Sequence, residues 1–112
     1  MSNKKKFRQR YIGFEIKTVK DNNKFSRKKM IRKLQKKSRE LFGKDWKKTG
    51  IYLTRFNGEK GIVRCSHLYK NETINILKSI KKIGLRKVSI ETVGTSGTIK
   101  SLIKKHMNKN EL

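Results

Sequence analysis

Apolar residues recur along this chain in two periods. Over residues 10–19 (RYIGFEIKTV), Ile12, Phe14 and Ile16 alternate with Tyr11, Gly13, Glu15 and Lys17, the period of a half-buried strand, until Asp21, Asn22 and Asn23 break it. From Ser26 the period lengthens: Met30, Ile31, Leu34, Ser38, Leu41 and Phe42 share one helical stripe, with Ser26 suited to cap its start and Gly43 its end. Residues 51–56 and 61–65 read as strands on either side of Asn57-Gly58-Glu59-Lys60, and Asn-Gly is a hairpin signal, so the two pair antiparallel. A second helix is predicted from about Tyr69 to Ile83, with Ile74, Ile76, Leu77 and Ile80 inward and Gly84 as its stop. Val88, Ile90 and Thr92 alternate as a fourth strand. A last helix follows Ser96-Gly97, with Ile99, Leu102, Ile103 and Met107 opposite Lys100, Lys104 and Lys105, and frays after Met107.

The order βαββαβ with an additional C-terminal helix predicts a ferredoxin-like, RNA-recognition-like antiparallel sheet whose first and third strands are central. The 112 residues match one domain, here 10–107, between a flexible basic arm (1–9) and a flexible tail (108–112). No internal repeat is visible beyond the topology itself.

Charge changes the picture more than hydropathy does. Thirty-two Lys and Arg against eight Asp and Glu leave a formal net charge of +24, costly through self-repulsion unless a polyanion relieves it. Nucleic acid is the natural partner, because neutralising its phosphates releases condensed counterions. A membrane is not expected: no apolar run approaches the roughly 20 residues that span a bilayer, and the basic segments lack an aromatic-rich opposing face. Cys65 is the single cysteine, so neither an intrachain disulfide nor a thiolate zinc cluster is available, which agrees with a cytoplasmic protein.

Candidate binding residues follow from the charge distribution. The arm supplies Lys4, Lys5, Lys6 and Arg8, and Arg10 opens the folded part. The first helix supplies Arg27, Lys28 and Arg32 within a face that holds eight cations and only Glu40 in opposition, too one-sided for i,i+4 ion pairing. Arg64 projects from the third strand, on the side opposite Val63. The segment Gly94-Thr95-Ser96-Gly97-Thr98-Ile99-Lys100 joins strand to helix through small hydroxyl-bearing residues, where backbone N–H groups and the helix dipole converge. An anion site and an ordinary capping turn both fit that pattern, and the Walker spacing is missing. Thr95, Ser96, Gly97, Thr98, Lys100, Lys104 and Lys105 complete the set.

On the two central strands only Tyr11 is placed to stack a base, so recognition of shape and phosphate in folded RNA is expected, and Ile62, facing outward, reads as a protein contact. Glu15 and Glu91 would share a sheet face if their strands are neighbours, but Lys17, Arg64 and Lys87 offer them ordinary ion pairs in place of Mg²⁺. His67 and His106 stand in no triad or ligand pattern, and Cys65 reads as a small buried residue. The residues indicate a binding protein without a catalytic constellation.

Four segments, RYIGFEI (10–16), FSRKKMIRKL (25–34), GIVRC (61–65) and VGTSGTIKSL (93–102), together resemble the archaeal ribonuclease P protein component 2 family, in order over about residues 8–105. The resemblance implies a non-catalytic subunit of the RNA-catalysed endonuclease that removes the 5′ leader from precursor tRNA. It implies as partners ribonuclease P RNA, precursor tRNA, protein component 3 and other protein subunits. It implies no cofactor on the protein, with Mg²⁺ held by the RNA. Residues 43–50 (GKDWKKTG), including Trp46, depart from the family pattern and read as a loop of different length. The competing readings are a ribosomal or other structural RNA-binding protein and a stand-alone metal-dependent nuclease using Glu15 and Glu91.

Overall fold

The alternation near the start of the chain builds β1 (Gln9–Lys17), in which Ile12, Phe14 and Ile16 are buried and Glu15 and Lys17 are not. The structure is a computed structural model and describes residues 8–18 and 24–107. Lys4, Lys5 and Lys6, with the rest of residues 1–7 and the tail 108–112, lie outside the described residues. After β1 come α1 (Arg27–Phe42), a 3₁₀ turn (Gly43–Thr49), β2 (Tyr52–Phe56), β3 (Lys60–Ser66), a short 3₁₀ turn (His67–Tyr69) and α2 (Lys70–Ser79). A two-rung hairpin, β4 (Lys82–Ile83) with β5 (Arg86–Lys87), precedes β6 (Ser89–Ser96) and α3 (Ile99–His106).

Four strands form an antiparallel sheet in the order β2-β3-β1-β6, so the first and third strands are central, the ferredoxin-like arrangement with a helix added at the C-terminal end. Asn57-Gly58 turns β2 into β3: the Asn57 side chain accepts the N–H groups of Glu59 and Lys60 at 3.0 and 2.8 Å. Gly58 has φ +105, and a Cβ there would collide with Lys24, so both conformation and space require glycine.

One face of the sheet carries the core. Ile12, Phe14, Ile16, Leu53, Val63, Cys65 and Ile90 pack against Met30 and Leu34 of α1 and Ile76 and Leu77 of α2. Ser26 accepts the Lys29 N–H at 3.1 Å, and the Gly43 N–H returns to the Arg39 carbonyl, so α1 is closed at both ends as the sequence predicts. Buried hydroxyls are satisfied within their own turns: Ser38 donates to the Leu34 carbonyl and Thr73 to that of Tyr69, each at 2.7 Å. The Arg27 guanidinium donates to the Leu53 carbonyl at 2.7 Å and ties α1 to β2.

Several expectations need correction. The second helix ends at Ser79, because Ile80 turns extended (ψ 113). Ile80 and Ile83 still reach the core, since a hairpin with Gly84 at its tip (φ +64) can bury the residues a further helical turn would have buried. Leu41, assigned to the buried stripe, is 55% exposed; Phe42 closes the helix instead, against Tyr69 edge-to-face at 5.4 Å. The last strand runs on to Ser96, so Gly94, Thr95 and Ser96 belong to the sheet rather than to a loop. Ile62 is fully buried on the outer face and is not an exposed protein contact.

That outer face is covered in part by α3. A Cβ at Gly13 would lie 2.9 Å from the Val93 side chain and 3.0 Å from the Met107 sulfur, with Leu102 at 3.6 Å. The absent side chain is what lets α3 approach the sheet, over the rung where Gly13 pairs with Ile62.

Cys65 is fully buried, and burial pushes its thiol above its ordinary value of 9.0, against a smaller opposing effect of the Thr73 hydrogen bond. The folded state thus favours the neutral thiol: its contribution is complete below pH 9 and fades as pH rises through the raised folded value. A thiol reagent at pH 7 is expected to label Cys65 only in denaturant, and rapid labelling of the native chain contradicts this burial. Phe14→Ala should lower the unfolding free energy by about 3–5 kcal/mol, whereas Leu41→Ala should stay within about 0.5 kcal/mol. Urea unfolding checks both, and comparable losses would mean that α1 is rotated from the orientation described.

Candidate nucleic-acid interface

The two helical layers put the basic residues on two sides of the molecule. On the outside of α1, Lys28, Arg32, Lys36 and Arg39 are exposed at spacings of three and four residues and form one stripe along the helix. Arg27 begins the same helix but commits part of its donor set to the Leu53 carbonyl. At the far end of the stripe, Trp46 on the 3₁₀ turn has two cations against its ring, the Arg39 guanidinium 4.9 Å and the Lys47 ammonium 5.7 Å from its ring centres. Residues 43–50, expected to be a loop, form a 3₁₀ turn over Gly43–Thr49 that continues the α1 stripe.

The second surface is the outer face of the sheet. Lys100, Lys104 and Lys105 are exposed on α3, and between α3 and β2 runs a groove of about 740 Å³ lined by Ile99, Ile103 and Met107 with Arg55, Lys100 and Lys104. One rung beyond the part of the sheet under α3, Tyr52, Arg64, Tyr11 and Ser96 stand in register across all four strands. The Arg64 guanidinium lies 5.1 Å from the Tyr52 ring centre, and the Tyr11 hydroxyl donates to the Gln9 side chain at 3.1 Å. Arg8 sits at the same end, its carbonyl accepting the His67 N–H at 2.8 Å.

The turn between β6 and α3 is shorter than the sequence suggests. Only Gly97 and Thr98 leave the sheet, and the Thr98 hydroxyl accepts the Ser101 N–H at 3.1 Å, an ordinary cap. Arg10 leans over Gly97, with one guanidinium nitrogen 3.6 Å from where a Cβ would be, and donates to the Gln9 carbonyl at 3.2 Å. Thr95 and Ser96 are half-buried in β6, Gly97 and Thr98 exposed.

Glu15 and Glu91 are direct partners across β1 and β6, as their spacing allowed. Like charges opposite each other repel. The Lys17 ammonium relieves this at 3.8 Å from Glu91, and Lys60 is the register partner of Glu15 on the other side. Among the described residues no group of three or more His, Cys, Asp and Glu could hold a metal ion. None of their helices is long and apolar enough to cross a membrane.

The sequence reading therefore combined residues that the fold separates: Arg27, Lys28 and Arg32 on one side, Arg64, Lys100, Lys104 and Lys105 on the other, with Arg8, Arg10 and the 95–98 segment near one end of β1. It also missed Tyr52. The signal was present, since Leu53 alternates with Tyr52 and a buried Leu53 turns Tyr52 outward, but only pairing puts an edge-strand residue beside Arg64.

Comparison with known proteins agrees with this architecture. The family model described as the Rpp14/Pop5 family matches residues 10–107. Ribonuclease P protein component 2 of Archaeoglobus fulgidus is 35% identical over 100 residues, covering 89% of this chain and 89% of the relative. The Pyrococcus horikoshii protein of the same name is 35% identical over 107 residues, covering 91% and 85%. Among solved structures, a chain in the cryo-EM structure of yeast ribonuclease MRP superposes with a TM-score of 0.66 at 10% identity, over 82% of this chain and 76% of that one, which shows a shared fold. A family model spanning nearly the whole described domain, with relatives matched along most of their length, leaves one assignment: this chain belongs to the Rpp14/Pop5 family.

Proposed function

We propose that this chain is a non-catalytic protein subunit of ribonuclease P that binds the catalytic RNA and supports Mg²⁺-dependent removal of the 5′ leader from precursor tRNA. The observation that carries the reading is the end-to-end similarity to proteins named ribonuclease P protein component 2, joined to a net charge of +24. In this role the protein neutralises phosphates and leaves the chemistry, with its Mg²⁺, to the RNA. Protein component 3 and the other protein subunits are the partners this reading implies, and precursor tRNA is the substrate of the assembled particle.

A folded RNA domain is the partner best suited to such a surface. Exposed cations on both α1 and α3 can meet phosphates of two RNA segments at once, and the sheet between them fixes their separation. Lys4, Lys5, Lys6 and Arg8 add further cations to the proposed interface. A cytoplasmic location accords with this reading.

Reconstitution tests it. Added with its protein partners to ribonuclease P RNA, the chain should lower the Mg²⁺ requirement and speed leader removal, while the chain alone cleaves nothing; unchanged RNA activity would sink the proposal. Glu15→Gln combined with Glu91→Gln should leave cleavage by the particle intact, and its abolition would instead favour a protein-borne metal site. Lys100→Ala and Lys104→Ala should each weaken RNA binding and make the slope of log affinity against log salt shallower by about 0.7–0.9 for every phosphate no longer neutralised. Unaltered slopes would mean that α3 faces protein or water.

A further inference from the structure

We propose that the row formed by Tyr52, Arg64 and Tyr11 holds an unpaired RNA base by stacking, an inference that rests on the RNA-binding reading above. Strand register sets the three side chains next to one another across β2, β3 and β1, on the face of the sheet opposite the core. α3 covers the neighbouring rung, where Gly13 lies beneath Leu102 and Met107, and the row lies beyond it.

Three features suit the row to a base. Tyr52 is 52% exposed, a large aromatic surface on a strand whose next residue, Leu53, is almost wholly buried. The Arg64 guanidinium, 5.1 Å from the Tyr52 ring centre, is held beside it by cation–π attraction, so a planar cation and a planar ring are already ordered before any ligand arrives. The Tyr11 hydroxyl is tied to the Gln9 side chain at 3.1 Å, which limits ring motion at the other end of the row. An unstacked base gains from packing on aromatic and guanidinium planes of this kind, whereas a base inside a duplex has both faces occupied.

Charge selects the occupant. Arg55, Lys100 and Lys104 line the groove that opens from the rung beside the row. The backbone on either side of a stacked base carries phosphates that these cations neutralise. A protein partner at this place would have to supply carboxylates for Arg64 and its neighbours or leave them buried unpaired, whereas RNA brings a phosphate with every nucleotide. The row therefore commits this end of the sheet to a bulged or single-stranded nucleotide and predicts little preference among bases, because every base has a π face.

The test uses the full chain and a single-stranded RNA of about ten nucleotides carrying one 5-iodouridine, a length within the usual span of a single-strand site, with the same sequence as a duplex for comparison. The single strand should photocrosslink to Tyr52 or Tyr11, and the duplex should not. Tyr52→Val keeps a strand-compatible residue and removes the ring; it should weaken single-strand binding roughly fivefold to 150-fold with the salt slope unchanged, since one stacked base goes and every phosphate interaction stays. Tyr52→Phe should bind like wild type. If wild type binds the single strand and Tyr52→Val binds it equally well, or Tyr52→Phe shares the loss, the stacking row is overturned and the RNA reading stands. If wild type binds neither this strand nor ribonuclease P RNA, both fall together.

Discussion

The constraint behind this architecture is the repulsion among the many cationic side chains on one small domain. Eight carboxylates can match at most eight of the thirty-two Lys and Arg, so the fold has to separate like charges rather than pair them. It does so by giving α1 and α3 one apolar side and one cationic side, while the exposed side of α2 is mostly uncharged, with Asn71, Asn75 and Ser79 beside Glu72 and Lys78. The core takes Met30, Leu34, Ile76 and Leu77 from α1 and α2, the outer cover takes Leu102 from α3, and Lys28, Arg32, Lys36 and Arg39 of α1 and Lys100, Lys104 and Lys105 of α3 stay exposed on the two sides. The visible ion pairs do little to offset the repulsion: Lys17 with Glu91 and Lys48 with Asp45 are well exposed, in the range where such pairs contribute about 0–1 kcal/mol.

The position of α3 decides what remains open for binding. A sheet of this topology can offer its whole outer face to RNA, and here Gly13 gives up its side chain so that Leu102 and Met107 can close over the middle. That cover explains how Ile62 can be fully buried without belonging to the principal core. What is left uncovered is a strip at one end of the sheet bearing Tyr52, Arg64 and Tyr11, the groove along α3, and the far end of the face with Lys17, Ser89 and Glu91. On the proposed RNA-binding role, such a surface suits recognition through phosphates, with room for a base at the margin rather than a platform across the strands.

Much of this was legible in the sequence because the apolar periods are clean. Strand alternation in β1, the Ser26 and Gly43 boundaries of α1, the Asn57-Gly58 hairpin and the central pairing of β1 with β3 follow from local pattern and known topology. The failures share one physical origin, a local signal that serves two structures. Ile80 and Ile83 sit three residues apart, as on a helix, and Gly84 stops helices as readily as it turns hairpins; only the packing of Ile83 from a short strand chooses between them. Likewise Gly94-Thr95-Ser96 has the composition of a loop but is held in the sheet by pairing with residues 11–13, far away along the chain. The candidate site was legible as a set of residue types and illegible as a place, since charge runs carry no information about which face of a sheet they will join.

Two basic sides separated by a sheet give stability and binding opposite responses to salt. Screening shortens the reach of the repulsion among Lys28, Arg32, Lys36 and Arg39 on α1 and among Lys100, Lys104 and Lys105 on α3, so the free domain gains from added ions. Binding to phosphate weakens by the same addition, because releasing counterions into a saltier solution yields less entropy. On the proposed role, RNA would perform for the folded domain what salt performs for the free one, but at fixed positions, so that the relief of repulsion becomes part of the binding free energy. A polyanion would complete a domain of this charge, and the rigid sheet would convert a general attraction for phosphate into two basic surfaces with a set spacing.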